Sequence, residues 1–130
     1  MSRIKGKDTS IEIKVRKYLF SQGFRYRKNV KTLPGKPDIV LPKYHAVVFV
    51  HGCFWHRHPG CIKAYMPKTR VEFWQKKFES NVQNDVLHQK ELIDAGWRVF
   101  IVWECEVEKG LEKTMSGLIK QLRSYKADFR

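Results

Sequence analysis

His51-Gly52-Cys53-Phe54-Trp55-His56-Arg57-His58-Pro59-Gly60-Cys61 gathers two cysteines and three histidines around an adjacent pair of large aromatics, and no other stretch of the chain is as rich in metal ligands. Cys53 and Cys61 with His58 between them give the spacing C-x4-H-x2-C. His56 competes for the middle position, and spacing alone leaves the choice open. The one remaining cysteine, Cys105, would complete a Cys3His set, the donor chemistry of a closed, tetrahedral, structural zinc site. A loop punctuated by Gly52, Pro59 and Gly60 has little means of ordering itself through apolar contacts. Structural zinc supplies that order, at about 10–16 kcal/mol in small peptides. The blander alternative makes Cys105 a small buried hydrophobe after a strand and leaves the histidine-rich loop in solvent. Three cysteines do not pair evenly into disulfides and no signal peptide opens the chain, which points to a reducing, cytoplasmic compartment.

Outward from this loop the pattern alternates between helical and extended segments. Thr9-Ser10-Ile11-Glu12 has the form of a capping box, and Ile11, Val15, Tyr18 and Leu19 then share one apolar face of a helix ending near Gly23, with Lys14, Arg16 and Lys17 outside it. Residues 24–30 alternate aromatic and basic side chains like a half-buried strand, and Leu33-Pro34-Gly35-Lys36-Pro37 breaks that pattern as a turn. Two short apolar runs, 38–41 and 46–50, are separated by only Pro42-Lys43-Tyr44-His45 and form an antiparallel hairpin. Beyond the ligand-rich loop, Thr69-Arg70-Val71-Glu72 repeats the capping signature. A long helix then runs to Gly96, its apolar spacing carried by Val71, Trp74, Phe78, Val82 and Val86. Residues 98–103 are a continuous apolar strand delivering Glu104 and Cys105 at its end, and a last helix runs from about Leu111 to Tyr125. The expected architecture is α/β, a mixed central sheet flanked by helices.

The chain of 130 residues fits a single domain, with residues 1–7 a flexible basic arm around Gly6. It carries 26 Lys and Arg against 13 Asp and Glu, a formal charge of +13. That excess exceeds what solubility asks of a small domain and calls for a polyanion. Basic residues are spread through every segment instead of lining one amphipathic face, so nucleic acid fits better than a membrane surface.

Chemistry has one natural place. In the hairpin, Asp38 falls opposite Phe49, Val50 or His51, so a carboxylate and an imidazole meet beside the metal loop. In a strongly basic protein this is a candidate phosphodiester-cleaving centre, with Asp38 on Mg2+ and a histidine moving protons. A lone aspartate after proline is more often a turn former or cap than a metal ligand, and His51 and His56 can be surface imidazoles. Phe54 and Trp55 are neighbours and cannot both enter one small core pocket, so at least one is expected to be exposed. Such side chains, with Trp74, can wedge between base pairs, whereas Trp97 and Trp103 are expected in the core.

Taken together, Asp8-Thr9 with Glu12, Pro34-Gly35-Lys36-Pro37-Asp38, the run His51 to His56, His58, Cys61, Thr69-Arg70 with Glu72-Phe73-Trp74, Asn81, Asp85, and the segments 96–99 and 103–105 resemble the very-short-patch-repair (Vsr) DNA mismatch endonucleases. The resemblance covers residues 8 to about 105. It implies a restriction-endonuclease-like core that nicks the thymine strand of a T:G mismatch in double-stranded DNA, alongside other mismatch-repair proteins, with no membrane. It implies Asp38 as Mg2+ ligand, the Val50 backbone carbonyl as a further ligand, His51 and His56 as acid and base, and Glu12 in support. It also implies zinc on Cys53, His58, Cys61 and Cys105, and Phe54, Trp55, Trp74 and the arm residue Ile4 inserted beside the mismatch. Val50 stands where the best-known member has threonine, and Pro59-Gly60 is one residue longer than a spacer also found there. A monomer suffices, because a single mismatch has no two-fold symmetry. Two rivals remain: a zinc-stapled DNA-binding module without catalysis, and a related nuclease cutting an unmismatched site.

Overall fold

A computed structural model describes residues 10–28 and 30–125. The arm at 1–7, with Ile4, and the capping residue Thr9 lie outside them. The elements in chain order are α1 (Ser10–Ser21), β1 (Arg27–Lys28), β2 (Ile39–Leu41), β3 (Ala46–His51), α2 (Val71–Asp94), β4 (Arg98–Trp103), α3 (Glu104–Lys109) and α4 (Leu111–Arg123). The strands form one mixed sheet in the order β1-β2-β3-β4, antiparallel except for the parallel pair β3 and β4. The expected mixed sheet with flanking helices is therefore observed.

Helix α1 buries Val15 and Leu19 completely, with Ile11 and Tyr18 packed beside them. It ends in a Schellman turn. Gly23 takes φ 90, its N–H donates to the Phe20 carbonyl, and Phe24 N–H donates to the Leu19 carbonyl at 3.0 Å. Arg16, expected in solvent, is instead 4% exposed and paired with the buried Glu12 at 3.5 Å, because its helix face turns toward the cleft that Glu12 and Asp38 line. The strand expected over 24–30 shrinks to Arg27–Lys28, since Phe24 is taken into the core by the helix cap.

The hairpin forms as expected. Ile39 faces Val48, Val40 faces Val47 and Leu41 faces Ala46, with a 3-10 turn at Pro42–Tyr44 and His45 in the left-handed region at φ 50. Strand β3 is central and apolar on both sides. Val48 and Ala46 join Val15, Leu19, Met115 and Leu122 of the main core, under α1 and α4. Val47 and Phe49 meet Leu92 of α2, Trp97 and Val99 on the opposite face.

Helix α2 departs from its expected apolar stripe. Phe78 and Leu92 are buried, but Val71, Val82 and Val86 are exposed. A helix of 24 residues runs about 36 Å, while a six-residue strand covers about 20 Å, so α2 overshoots the sheet and packs only locally. The expected capping box at its start does not form either: Arg70 is the N-cap residue, with left-handed backbone and no side-chain cap bond. After β4 the chain passes at once into the short helix α3, which had no sequence signal of its own, and Gly110 separates it from α4. Among the described residues, no helix is long and apolar enough to cross a membrane.

Candidate active site and metal centre

The parallel pairing of β3 with β4 sets His51 beside Trp103, so the segments leaving the two strands emerge side by side. Gly52-Cys53 leaves β3 and Glu104-Cys105 leaves β4. Cys53 and Cys105, far apart in sequence, thus meet through strand register, and Cys105 N–H donates to Cys53 Sγ at 3.4 Å. The ligand atoms of Cys53, His58, Cys61 and Cys105 all lie within 4.8 Å of one another. His58 Nδ1 is 3.6 Å from Cys53 Sγ and 3.4 Å from Cys105 Sγ. Zinc bonds of about 2.3 Å to sulfur and 2.0 Å to nitrogen in a tetrahedron place S and N about 3.5 Å apart, so the donor set fits that ion. His58 is the histidine of the set.

Electrostatics favour the same reading. Burial pushes the Cys53 thiol up to about 12 and raises Cys105 as well, so a divalent cation would supply the charge that two buried thiolates need. Cys61 is lowered, chiefly by the backbone N–H of Lys63. Glu104 ties the loop down by accepting from Cys53 N–H at 3.2 Å, and Lys63 bridges Glu104 and Glu108 from the far side. Trp103, expected in the core, is half-buried. It stacks on His58 at 4.1 Å and meets the His51 ring edge-on, backing both groups of histidines.

A cleft of about 540 Å³ opens next to this centre, with Glu12, Asp38, Val50, His51, Trp55, His56 and Asp85 among its walls. Asp38 precedes β2 and reaches across the hairpin to accept the Val50 N–H at 2.7 Å. Burial holds its carboxyl up at about 7. The Val50 bond opposes that rise, Glu12 adds to it, and His56 and Arg16 pull it down. A hard cation would relieve this cost, and one carboxylate plus the Val50 carbonyl suits Mg2+, which keeps much of its own water. His51 is buried and driven down to about 3, mainly by desolvation and then by His56, so it is neutral at working pH. Its Nδ1 is buried without a hydrogen-bond partner.

His56 turns away from the cysteines. Its Nδ1 meets Asp85 Oδ2 at 2.7 Å, and since the carboxylate can only accept, the proton sits on Nδ1 and leaves Nε2 as the basic atom. His51 and His56 are stacked, centroids 3.7 Å apart with 5° between planes. His51, His56 and Asp85 each bring a ligand atom within 4.8 Å of the others. Face-to-face imidazoles nevertheless aim their in-plane lone pairs along parallel planes, so the pair does not converge on one ion. The acidity of His51 carries a prediction: as pH falls from 6.5 toward 3, the unfolded chain takes up a proton that folded His51 refuses, so stability drops. A His51→Gln variant should show a shallower acid limb in urea titrations between about pH 6 and about pH 4. An unchanged limb would place the imidazole in water.

The aromatics correct the expectation that Phe54 or Trp55 is exposed: both are half-buried in one cluster. The loop turns tightly, with His56 N–H on the Gly52 carbonyl and His58 N–H on the Cys53 carbonyl, which folds the neighbours edge-to-face at 5.1 Å instead of splaying them. Phe54 touches Trp74 and Phe78 of α2, and Trp55 touches Trp74 at 5.7 Å.

Comparison with known proteins decides the lineage. The chain is 42% identical over 126 residues to the DNA mismatch endonuclease Vsr of Escherichia coli K12, covering 96% of this chain and 80% of the relative. This chain belongs to the Vsr family. A family model described as DNA mismatch endonuclease Vsr matches residues 1–63. The Type II nicking enzyme V.NmeAIP of Neisseria meningitidis is 51% identical over 125 residues, covering 95% of this chain and 89% of the relative. The Type II nicking enzyme V.XorIIP of Xanthomonas oryzae is 46% identical over 107 residues, covering 82% and 78%. As a Vsr-family chain this protein is a DNA-acting nuclease, a mismatch endonuclease or nicking enzyme.

Three functional contacts in this Vsr-family chain escaped the sequence reading. Asp85 and Asn81 were matched to the family without a role. Asp85 orients His56, and the Asn81 amide donates to the Trp55 carbonyl at 3.2 Å, so one face of α2 positions two successive loop residues. Arg57, at φ 54, donates to the carbonyls of Phe54, Ala64 and Tyr65 and lies 3.7 Å over the Phe78 ring. Spacing could not reveal these, since each contact depends on how the loop docks against α2.

Proposed function

We propose that this enzyme is an Mg2+-dependent endonuclease that nicks the thymine strand of duplex DNA at a T:G mismatch, opening very-short-patch repair. One juxtaposition carries the reading: a largely buried carboxyl with raised pKa, Asp38, shares a cleft with a carboxylate-oriented imidazole, His56, beneath a cluster of half-buried aromatics. Asp38 and the Val50 carbonyl would hold Mg2+, which when bound neutralises charge on the scissile phosphate and activates water. His56 Nε2 accepts the proton of the attacking water, and Asp85 stabilises the imidazolium that results. His51 is the acid expected beside this base, but kept neutral by burial it has no acidic proton to give at working pH, so it backs the His56 ring by stacking at 3.7 Å and the leaving oxygen takes its proton from solvent. Glu12 sets the negative potential that favours a cation at Asp38.

Phe54, Trp55 and Trp74 form the wedge that enters the stack beside the mismatch, with Ile4 of the arm as a further insert. Cys53, His58, Cys61 and Cys105 hold the structural zinc. The core is of the restriction-endonuclease-like kind, one domain over 1–130 that acts as a cytoplasmic monomer and meets other mismatch-repair proteins there. The nicking names of two relatives support single-strand scission.

The deciding experiment uses end-labelled T:G and T:A duplexes of otherwise equal sequence, with and without Mg2+. A single nick in the thymine strand, present only for T:G and only with Mg2+, is expected; equal cutting of T:A would support the rival nuclease instead. The wedge has its own test. Trp55→Ala should weaken binding to T:G duplex by about 1–3 kcal/mol, the scale of aromatic–base stacking, as measured by titration without Mg2+. An unchanged preference for T:G over T:A would return Trp55 to a packing role.

A further inference from the structure

A second groove of about 490 Å³ adjoins the catalytic cleft, and Gly35, Lys36, His56, Asp85 and His88 line both. Lys31, Leu33, Asn81 and Asn84 complete its lining. Its one carboxylate, Asp85, is engaged by His56 at 2.7 Å, so the groove is otherwise lined by Lys31, Lys36, the His88 imidazole and the amides of Asn81 and Asn84. Donors outnumber available acceptors, which is the chemistry of an anion site.

The backbone is shaped to make this wall. Gly35 and Lys36 are consecutive left-handed residues, at φ 74 and φ 50, and Lys36 N–H closes the turn on the Leu33 carbonyl at 3.0 Å. Holding a lysine in that region costs about 1 kcal/mol or more, and such strain concentrates where a side chain must be presented. The turn is also pressed onto α2. A Cβ added at Gly35 would stand 2.9 Å from His88 Cβ and 3.2 Å from the Phe49 ring, so only glycine lets the lysine-bearing turn approach the helix this closely. Lys36 and His88 thereby share one wall at the junction of groove and cleft.

Each DNA strand carries a charge about every 3.4 Å along the helix axis, so a cleft that takes one phosphate leaves its neighbour within reach of an adjoining groove. We propose that the Lys31, Lys36 and His88 groove is a phosphate subsite that grips a phosphodiester flanking the one that is cut. The subsite rests on the nuclease reading, and sets the register of the strand without reading its bases.

Salt dependence tests it directly. Each phosphate contact contributes about −0.9 to the slope of log K against log salt, so Lys36→Gln should flatten that slope by about 0.9 on T:G and T:A duplexes alike. Lys36→Arg should restore it, and the Lys31→Gln, Lys36→Gln double variant should flatten it further. Circular dichroism melts of each variant identify any that fail to fold; Lys31→Gln alone then supplies the measurement. A folded Lys36→Gln protein with the parental slope, or one losing affinity for T:G only, overturns the subsite. Failure of the parent to nick T:G duplex would instead overturn the reading on which it rests, so the two failures are separable.

Discussion

Cys105→Ser is expected to abolish zinc binding and to collapse the cooperative thermal transition of the purified enzyme. Cys105 stands in the first turn of α3, immediately after β4, and its thiol is the one ligand that ties the 51–61 loop to the rest of the sheet. Structural zinc is worth about 10–16 kcal/mol in small peptides, while whole domains are stable by only about 5–15 kcal/mol. Loss of one ligand therefore removes an effect as large as the net stability. Metal content by atomic emission and melting by circular dichroism provide the readouts, and treatment of the parent with a strong chelator should reproduce the effect. His56→Ala is the counterpart: fold and zinc should be retained while nicking slows. Full zinc retention by Cys105→Ser, or zinc loss by His56→Ala, would reverse the ligand assignment.

Asp38→Asn should cut nicking by roughly a thousandfold or more, the scale on which lost charge stabilisation acts in active sites, and yet yield a more stable protein at alkaline pH. The sign comes from the raised carboxyl. Folded Asp38 keeps its proton up to about pH 7, whereas the unfolded chain releases it near 3.8. Its contribution is thus fully present below pH 3.8 and is lost as pH rises through 7. Asparagine still accepts the Val50 N–H but never ionises, so in metal-free buffer at about pH 8 the variant should exceed the parent by up to about 4 kcal/mol, and by nothing at about pH 3.5. Urea melts at the two pH values check it. A variant less stable than the parent at the alkaline pH would show that the carboxylate is already compensated without a cation. This trade of stability for activity is what a partly buried carboxyl kept to hold a cation would entail.

Much of the molecule can be read from local pattern. The hairpin register came from two apolar runs and a four-residue connection, because a buried strand tolerates no slip, and that register already set Asp38 against the end of β3. The apolar face of α1 and its glycine-capped end were legible for the same reason: one face of a short helix has a single place to go. The ligand-rich loop likewise announced its metal chemistry, since few other roles gather cysteine and histidine so densely.

What the sequence by itself determined is the inventory: a mixed sheet, a zinc-type donor set, an acid beside imidazoles, and a charge that calls for a polyanion such as nucleic acid. Tertiary structure decided how that inventory is shared out. His58 and His56 lie two residues apart on one loop, and only the docking of that loop between β4 and α2 sends the first to the cysteines and the second to Asp85. The same docking tucked Phe54 and Trp55 into one cluster, while the seating of α1 against the cleft turned Arg16 inward to Glu12. The length of α2 left much of it without a sheet beneath it, so Val82 and Val86 face solvent despite regular helical spacing. The physical reason is one of range: periodicity reports which face of an element is apolar, whereas partners far apart in the chain are chosen by strand register and by the lengths of the elements packed together.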